Sequence, residues 1–125
     1  MIEKKIYYHD TDCGGVVYYA NYLKYLEEAR TEYLQSKGID LGKLAQRGIL
    51  FAVSDVEIKY KAPAYYQDKI KVIAQIESNK AASIVFFQKI YRENTLLIEA
   101  RVKLVCVDKN IKPIPLPAEI KSALN

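Results

Sequence analysis

Tyr7-Tyr8-His9-Asp10-Thr11-Asp12-Cys13-Gly14-Gly15-Val16-Val17-Tyr18-Tyr19-Ala20-Asn21-Tyr22 is the stretch on which the reading of this chain turns. It leaves a run of β-formers, passes two carboxylates and two adjacent glycines, and enters the strongest helical pattern in the sequence. Paired glycines give the backbone conformations closed to other residues and let a ligand approach the main chain. A helix start presents unpaired N–H groups and partial positive charge, so a carboxylate just upstream can act beside an anion or a polarised carbonyl. Asp and Gly also populate turns for conformational reasons alone. Composition therefore leaves Asp10 and Asp12 as either turn residues or reacting groups.

Working outward, residues 2–8 read as a first strand, with Ile2, Ile6, Tyr7 and Tyr8 as its β-formers. From about Tyr19 to Lys37 the period is helical: Tyr22, Leu26, Ala29 and Tyr33 form a stripe widened by Leu23 and Leu34, and Gly38 serves as C-cap. Glu27, Glu28, Arg30 and Glu32 fall on the solvated face. Tyr18, Tyr19, Tyr22 and Tyr25 read as core aromatics, with Tyr19 and Tyr22 close enough to the carboxylates to meet a ligand. A short helix over 39–47 follows, opened by Asp40 as N-cap.

Beyond Gly48 the period changes to two. Strands are expected over 49–60 (alternating at Val53, Val56, Ile58 and Tyr60), 68–77, 81–91 and 95–107. Ala62-Pro63-Ala64 breaks the first, Ser78-Asn79-Lys80 turns the second, and Pro117 begins a short helix over 117–124. These strands are joined by turns too short for crossovers, so the sheet is antiparallel and must curl around the long helix, an α+β fold. A sheet of about five strands left open has an edge. Pairing it across a two-fold axis hides it, hence at least a homodimer is expected.

At 125 residues the chain is long enough for one domain, 1–125, and one core. Half its residues are apolar and 27% are charged, which argues against disorder. Nineteen basic against fifteen acidic side chains leave +4, too little and too scattered to point to nucleic acid. Cys13 and Cys106 are well separated, fitting a reducing compartment rather than a disulfide framework or a metal knuckle. The first residues lack the apolar core of a signal peptide, and no apolar run is long enough to span a membrane, so a cytoplasmic location is expected. With His9 as the one histidine, a Ser/His/Asp triad or a zinc site is poorly provided for.

The run from Tyr8 to Tyr22, continuing through Leu23-Lys24-Tyr25-Leu26-Glu27-Glu28-Ala29-Arg30, resembles the signature of the 4-hydroxybenzoyl-CoA thioesterase family. It is most similar to the Tol-Pal-associated acyl-CoA thioesterase branch. There an Asp-Thr-Asp, a small residue, Gly-Gly-Val-Val-Tyr and then Asn-Tyr or Ser-Tyr open a long helix. The Ala62-Pro63-Ala64 break and the Pro-rich lead-in at 112–117 extend the likeness over nearly the whole chain.

The resemblance implies a hotdog fold, a long central helix wrapped by a curved antiparallel sheet, acting on acyl-CoA thioesters as a homodimer or homotetramer. Coenzyme A is then part of the substrate, with no further cofactor and no metal. By position, Asp12 matches the catalytic nucleophile or general base, and Asp10 orients the loop. Tyr19 stands where the branch usually has His and the hydroxybenzoyl-CoA enzyme has Tyr, whose backbone N–H points at the thioester oxygen. A tyrosine there favours an aromatic or otherwise unusual acyl group.

Tyr22 is a substrate contact in this reading, and Lys59 and Lys80, before Lys61, Lys89 and Arg92, are the cations for the phosphates. Cys13 fills a small-residue position, half-buried, while Glu27 and Glu28 are lesser catalytic candidates. A non-catalytic acyl-CoA or small-ligand binding hotdog protein is the alternative. A dehydratase of the same fold would need a catalytic histidine that His9 is not placed to supply. The enzymatic reading requires one Asp12 oxygen to face a cavity beside bare amides at the helix start.

Overall fold

Alternation at Ile70, Val72, Ala74 and Ile76, and again along the two strands that follow, gives one apolar sheet face, and the long helix lies against it. The computed structural model describes residues 1–124. Its elements are β1 (Ile2–Lys5), a 3₁₀ turn (Tyr8–Asp10), α1 (Asn21–Ser36), α2 (Leu41–Gln46), β2 (Leu50–Tyr60), β3 (Lys69–Asn79), β4 (Ser83–Arg92), β5 (Thr95–Val107) and α3 (Ala118–Leu124). The five strands form one antiparallel sheet in the order β1-β3-β4-β5-β2, so β1 and β2 are its two edges. This is the α+β arrangement that the change of period predicts.

α1 ends where glycine was expected to end it. Gly38 adopts φ +80°, its amide donates to the Gln35 carbonyl at 2.9 Å, and Ile39 donates to the Leu34 carbonyl at 2.9 Å. The buried side chains of Leu34 and Ile39 flank the turn, completing a Schellman motif. Asp40 caps α2 by accepting from the Lys43 amide at 3.1 Å.

The buried stripe of α1 differs from the expected one. It comprises Tyr22, Tyr25, Leu26, Ala29, Arg30 and Leu34, whereas Leu23 is exposed and Tyr33 only half-buried, edge-on to Phe86. Arg30 is the largest departure, because the wholly buried Gln88 of β4 receives it. Gln88 accepts from Arg30 Nη1 at 3.0 Å and donates to the Leu26 carbonyl at 2.9 Å. Burial pulls the guanidinium below its usual range, yet the hydrogen bond keeps the side chain inside.

β1 stops at Lys5 rather than residue 8, because the Tyr7 amide donates to the Asp10 carboxylate at 2.9 Å and turns the chain into the 3₁₀ segment. β2 is the second correction. A bulge between Val53 and Asp55 shifts its register, and as an edge strand it leaves Val53, Val56 and Tyr60 exposed. β3 runs on to Asn79 through a bulge between Ile76 and Ser78, so the turn is Lys80 to Ala82. Among the described residues no helix is long and apolar enough to cross a membrane.

Candidate active site

Between the 3₁₀ turn and α1 the chain folds into a small closed hairpin. Thr11 bridges Val17, the Asp12 amide donates to the Val16 carbonyl at 2.9 Å, and Gly15, at φ +82°, donates to the Asp12 carbonyl at 3.1 Å. Val16 bridges Tyr65, which docks the hairpin on the segment before β3. The Gly14 amide donates to Asp12 Oδ1 at 2.8 Å, an Asx turn, and a Cβ added at Gly14 would stand 3.3 Å from that oxygen. The second carboxylate oxygen accepts from no protein donor among the described residues.

Asp10 is the buried foot of this hairpin. Its carboxylate holds the Tyr7 amide, and its carbonyl accepts from the Tyr18 amide at 3.0 Å and from Asn21 Nδ2 at 2.8 Å, tying the loop to the first residue of α1. The buried Tyr25 hydroxyl, outside hydrogen-bond geometry, is close enough for the two groups to raise and lower each other's pKa. Burial pushes the Asp10 carboxyl up, but the Tyr7 amide, the Tyr25 hydroxyl and the charges of His9 and Lys4 outweigh it and hold it below its ordinary 3.8. Burial, then Asp10, pushes the Tyr25 phenol well above its usual range.

A depressed carboxyl gives stability that is present above the ordinary range and lost as pH falls through it. Asp10→Asn should therefore flatten the decline in stability below about pH 4, read by denaturant titration across pH. A variant whose acid limb matches the wild type would show that Asp10 carries no such linkage.

α1 opens beside a second feature. Tyr19, Tyr22 and Tyr60 surround a cleft of about 310 Å³, completed by Val17, Lys61, Ala62 and Pro63. The Tyr60 ring lies 5.9 Å from that of Tyr22 and 6.5 Å from that of Tyr19. Tyr22 is buried and its hydroxyl accepts the Ala64 amide at 3.0 Å, which fixes the cleft floor. Asn21 and Tyr22 already donate to the carbonyls of Tyr18 and Tyr19, but among the described residues the amides of Tyr19 and Ala20 find no acceptor. Two bare N–H groups at a helix start can hold an oxyanion.

The structure thus gathers Tyr19 and Tyr22 and leaves other predicted residues apart. Asp12 is exposed on its hairpin and is not among the residues lining the tyrosine cleft, so the single chain does not set its carboxylate against that cavity as the enzymatic reading requires. Lys59 lies on the free edge strand opposite Glu99, and Lys80 sits in the β3–β4 turn, level with the other end of β2. Seven strand residues separate the two levels, more than about 20 Å, so one chain does not present both to the same phosphates.

Arg92 is committed to Asp68 Oδ2 at 2.9 Å and to the Pro63 carbonyl at 3.0 Å, and Lys89 lies over the Phe87 ring. Cys13 is exposed rather than half-buried. Glu28 faces Lys4 at 3.3 Å, and Glu27 accepts from the Thr31 hydroxyl. His9 is largely exposed, 3.9 Å from Asp10. Sequence reasoning missed Tyr60, whose signal was an aromatic at the last strand position before the Ala62-Pro63 break.

A helix laid on a five-stranded antiparallel sheet, with a carboxylate hairpin and bare amides at the helix start, defines the hotdog thioesterase class. The thioesterase-like superfamily model matches residues 7–124, and the chain belongs to that family, in its YbgC-like branch. It is 42% identical over 118 residues to the acyl-CoA thioester hydrolase YbgC of Escherichia coli, covering 93% of this chain and 88% of that one. The acyl-CoA thioesterase YbgC of Haemophilus influenzae is 38% identical, over 97% and 90% of the two chains.

Among solved structures, a hypothetical protein from Aquifex aeolicus superposes with TM-score 0.93 at 28% identity, over 99% of this chain and 98% of that one. A 1,4-dihydroxy-2-naphthoyl-CoA thioesterase from Synechocystis gives 0.89 at 28%, over 98% and 93%.

Proposed function

We propose that this protein hydrolyses acyl-CoA thioesters, with Asp12 as nucleophile or general base and the Tyr19 and Ala20 amides as the oxyanion site. The observation that carries the reading is Tyr19, which lines the cleft and, among the described residues, bears an amide with no acceptor one short hairpin after a carboxylate with one oxygen free. In the first route Asp12 attacks the thioester carbon, the C–S bond breaks, coenzyme A leaves as thiolate, and water cleaves the mixed anhydride. In the second, Asp12 takes a proton from the attacking water. Either way charge grows on the thioester oxygen, where the amides stabilise it. The reaction calls for no cofactor beyond the coenzyme A of the substrate.

A second copy of the chain completes the site in this reading. β2 offers a free edge with Val53, Val56 and Tyr60 exposed, beside the cleft. An antiparallel two-fold pairing of β2 would bring the Leu50 end of one copy next to Tyr60 of the other and wall in a cleft that one chain leaves open. Val56→Lys should yield monomers in sedimentation and lose most thiol release; a fully active monomer would refute the composite site.

The small tyrosine-lined cleft suits a compact or single-ring acyl group. Free cysteines, one of them exposed, suit the cytoplasm. Thiol release from a panel of short, long and aromatic acyl-CoAs tests the proposal. Turnover with at least one is expected, whereas saturable binding without thiol release would favour the non-catalytic binder.

A further inference from the structure

At the edge of the sheet remote from β2, Lys5 of β1 stands directly opposite Lys69 of β3, and Lys71 follows two residues on. Opposed residues of an antiparallel pair share a face, as do residues two apart on one strand, so three ammonium groups project from one side, neighbours about 5–7 Å apart at the backbone. That is inside the screening length of roughly 8–10 Å, and their potentials add. Lys4 is neutralised by Glu28 at 3.3 Å and Arg92 by Asp68 at 2.9 Å, but among the described residues Lys5, Lys69 and Lys71 have no ion pair, although Glu3 is opposite Lys71. Like charges opposed in this way destabilise a sheet. A lysine on β1 would guard the open edge against strand pairing; Lys69 and Lys71 stand on β3, which is paired on both sides, and that purpose does not account for them.

Aromatic side chains surround the same corner. Tyr7, Tyr65 and Tyr66 are about half exposed, and Tyr8 more so. The Lys5 ammonium lies 5.8 Å from the Tyr7 ring centroid, the Arg92 guanidinium 5.7 Å from that of Tyr65, and Tyr66 meets Tyr8 edge-on at 5.8 Å. Gln67, next to Tyr66, lines a cleft with the three lysines, in which five cations face the carboxylates of Glu3, Asp68 and Glu93, leaving an excess of two positive charges. Tyrosine, apolar in its ring and polar at its tip, is the side chain of the boundary between water and lipid. Lysine is a strongly hydrated point charge suited to a diffuse field, whereas reading the phosphates of a polynucleotide one by one favours the arginine fork, and Arg92 is committed to Asp68. Unpaired lysines among half-exposed tyrosines therefore match the negatively charged face of a lipid bilayer. Pairing of copies through β2 leaves β1, at the opposite edge, open.

We propose that the β1–β3 edge docks on an anionic membrane surface, with Lys5, Lys69 and Lys71 held by its negative potential and Tyr7 and Tyr66 seated among the lipid headgroups. The Tyr66 amide donates to the Gly15 carbonyl at 3.4 Å, so the docked face adjoins the hairpin of Asp12. The docking does not depend on thioester hydrolysis and is measured without it.

The probes are vesicles of phosphatidylcholine and phosphatidylglycerol in equal parts, and of phosphatidylcholine alone, with binding read by co-sedimentation at low and high salt. The wild type should bind the mixed vesicles at low salt, leave them at high salt, and ignore phosphatidylcholine alone. Lys5→Gln/Lys69→Gln should bind about thirtyfold more weakly, the effect of two lysines at an anionic surface. Tyr7→Ser/Tyr66→Ser should bind severalfold more weakly at low salt. Lys109→Gln/Lys121→Gln removes the same charge as the first variant from the far end of the sheet, where β5 ends and α3 follows, and should bind as the wild type does. Exchanging Lys5 and Lys69 relieves opposed like charges, so that variant should melt no lower than the wild type, which separates lost docking from lost folding. No binding of the mixed vesicles by the wild type, equal binding of both kinds of vesicle, or unchanged binding in the Lys5/Lys69 or Tyr7/Tyr66 variant would overturn the proposal. Retention on a single-stranded RNA in place of the vesicles would make the partner a nucleic acid and overturn it too.

Discussion

Asp12→Asn should lower turnover of acyl-CoA by at least about a hundredfold while leaving thermal unfolding unchanged. The separation of the two effects follows from the geometry. Among the described residues this carboxylate has one protein bond, accepted by Oδ1 from the Gly14 amide, and the side-chain carbonyl of asparagine can accept it as well. The side chain is exposed, so no packing is lost. What disappears is the charge and basicity of the free oxygen, on which attack or proton abstraction depends. The measurement is thiol release alongside a melting curve. Activity within severalfold of the wild type would remove Asp12 from the chemistry.

Gln88→Leu should destabilise the fold by about 3–4 kcal/mol, a fall in Tm of roughly 10–20 °C. Gln88 is wholly buried and joins two elements, accepting from the buried Arg30 guanidinium and donating to the Leu26 carbonyl in mid-helix. Leucine fills nearly the same volume but strands a guanidinium hydrogen away from water. Replacing the pair together, Arg30→Met with Gln88→Leu, should recover most of the loss, because no charge is then left buried. Equilibrium unfolding of the three variants checks both statements. A single variant within about 1 kcal/mol of the wild type would mean that water reaches Arg30.

These two sites lie at opposite extremes of legibility. The hairpin around Asp12 is local: its closing bonds span a few residues, two glycines permit its turn, and the pattern Asp-Thr-Asp-Cys-Gly-Gly carries it in plain order. The Arg30–Gln88 bond joins residues 58 positions apart. A charged side chain among Glu27, Glu28 and Glu32 reads as solvated until the opposing strand is in place. The cleft is intermediate, since Tyr19 and Tyr22 stand out by their place beside the carboxylates, whereas Tyr60 joins them only because β2 pairs with β5 and ends there.

Short-range order along the chain was enough to define the long helix, its glycine stop, the short capped helix, the succession of antiparallel strands and the carboxylate-bearing hairpin. Each depends on periodicity or backbone freedom within about one turn or one strand. Folding decided matters that no local pattern contains. It put Arg30 inside and Val53 and Val56 outside, because a buried glutamine received the first and a bulged edge strand turned out the others. It also set Lys5 against Lys69 and left Asp12 exposed, outside the lining of the tyrosine cleft. Burial, strand register and partner surfaces depend on residues far apart in sequence, and only their meeting in space settles them.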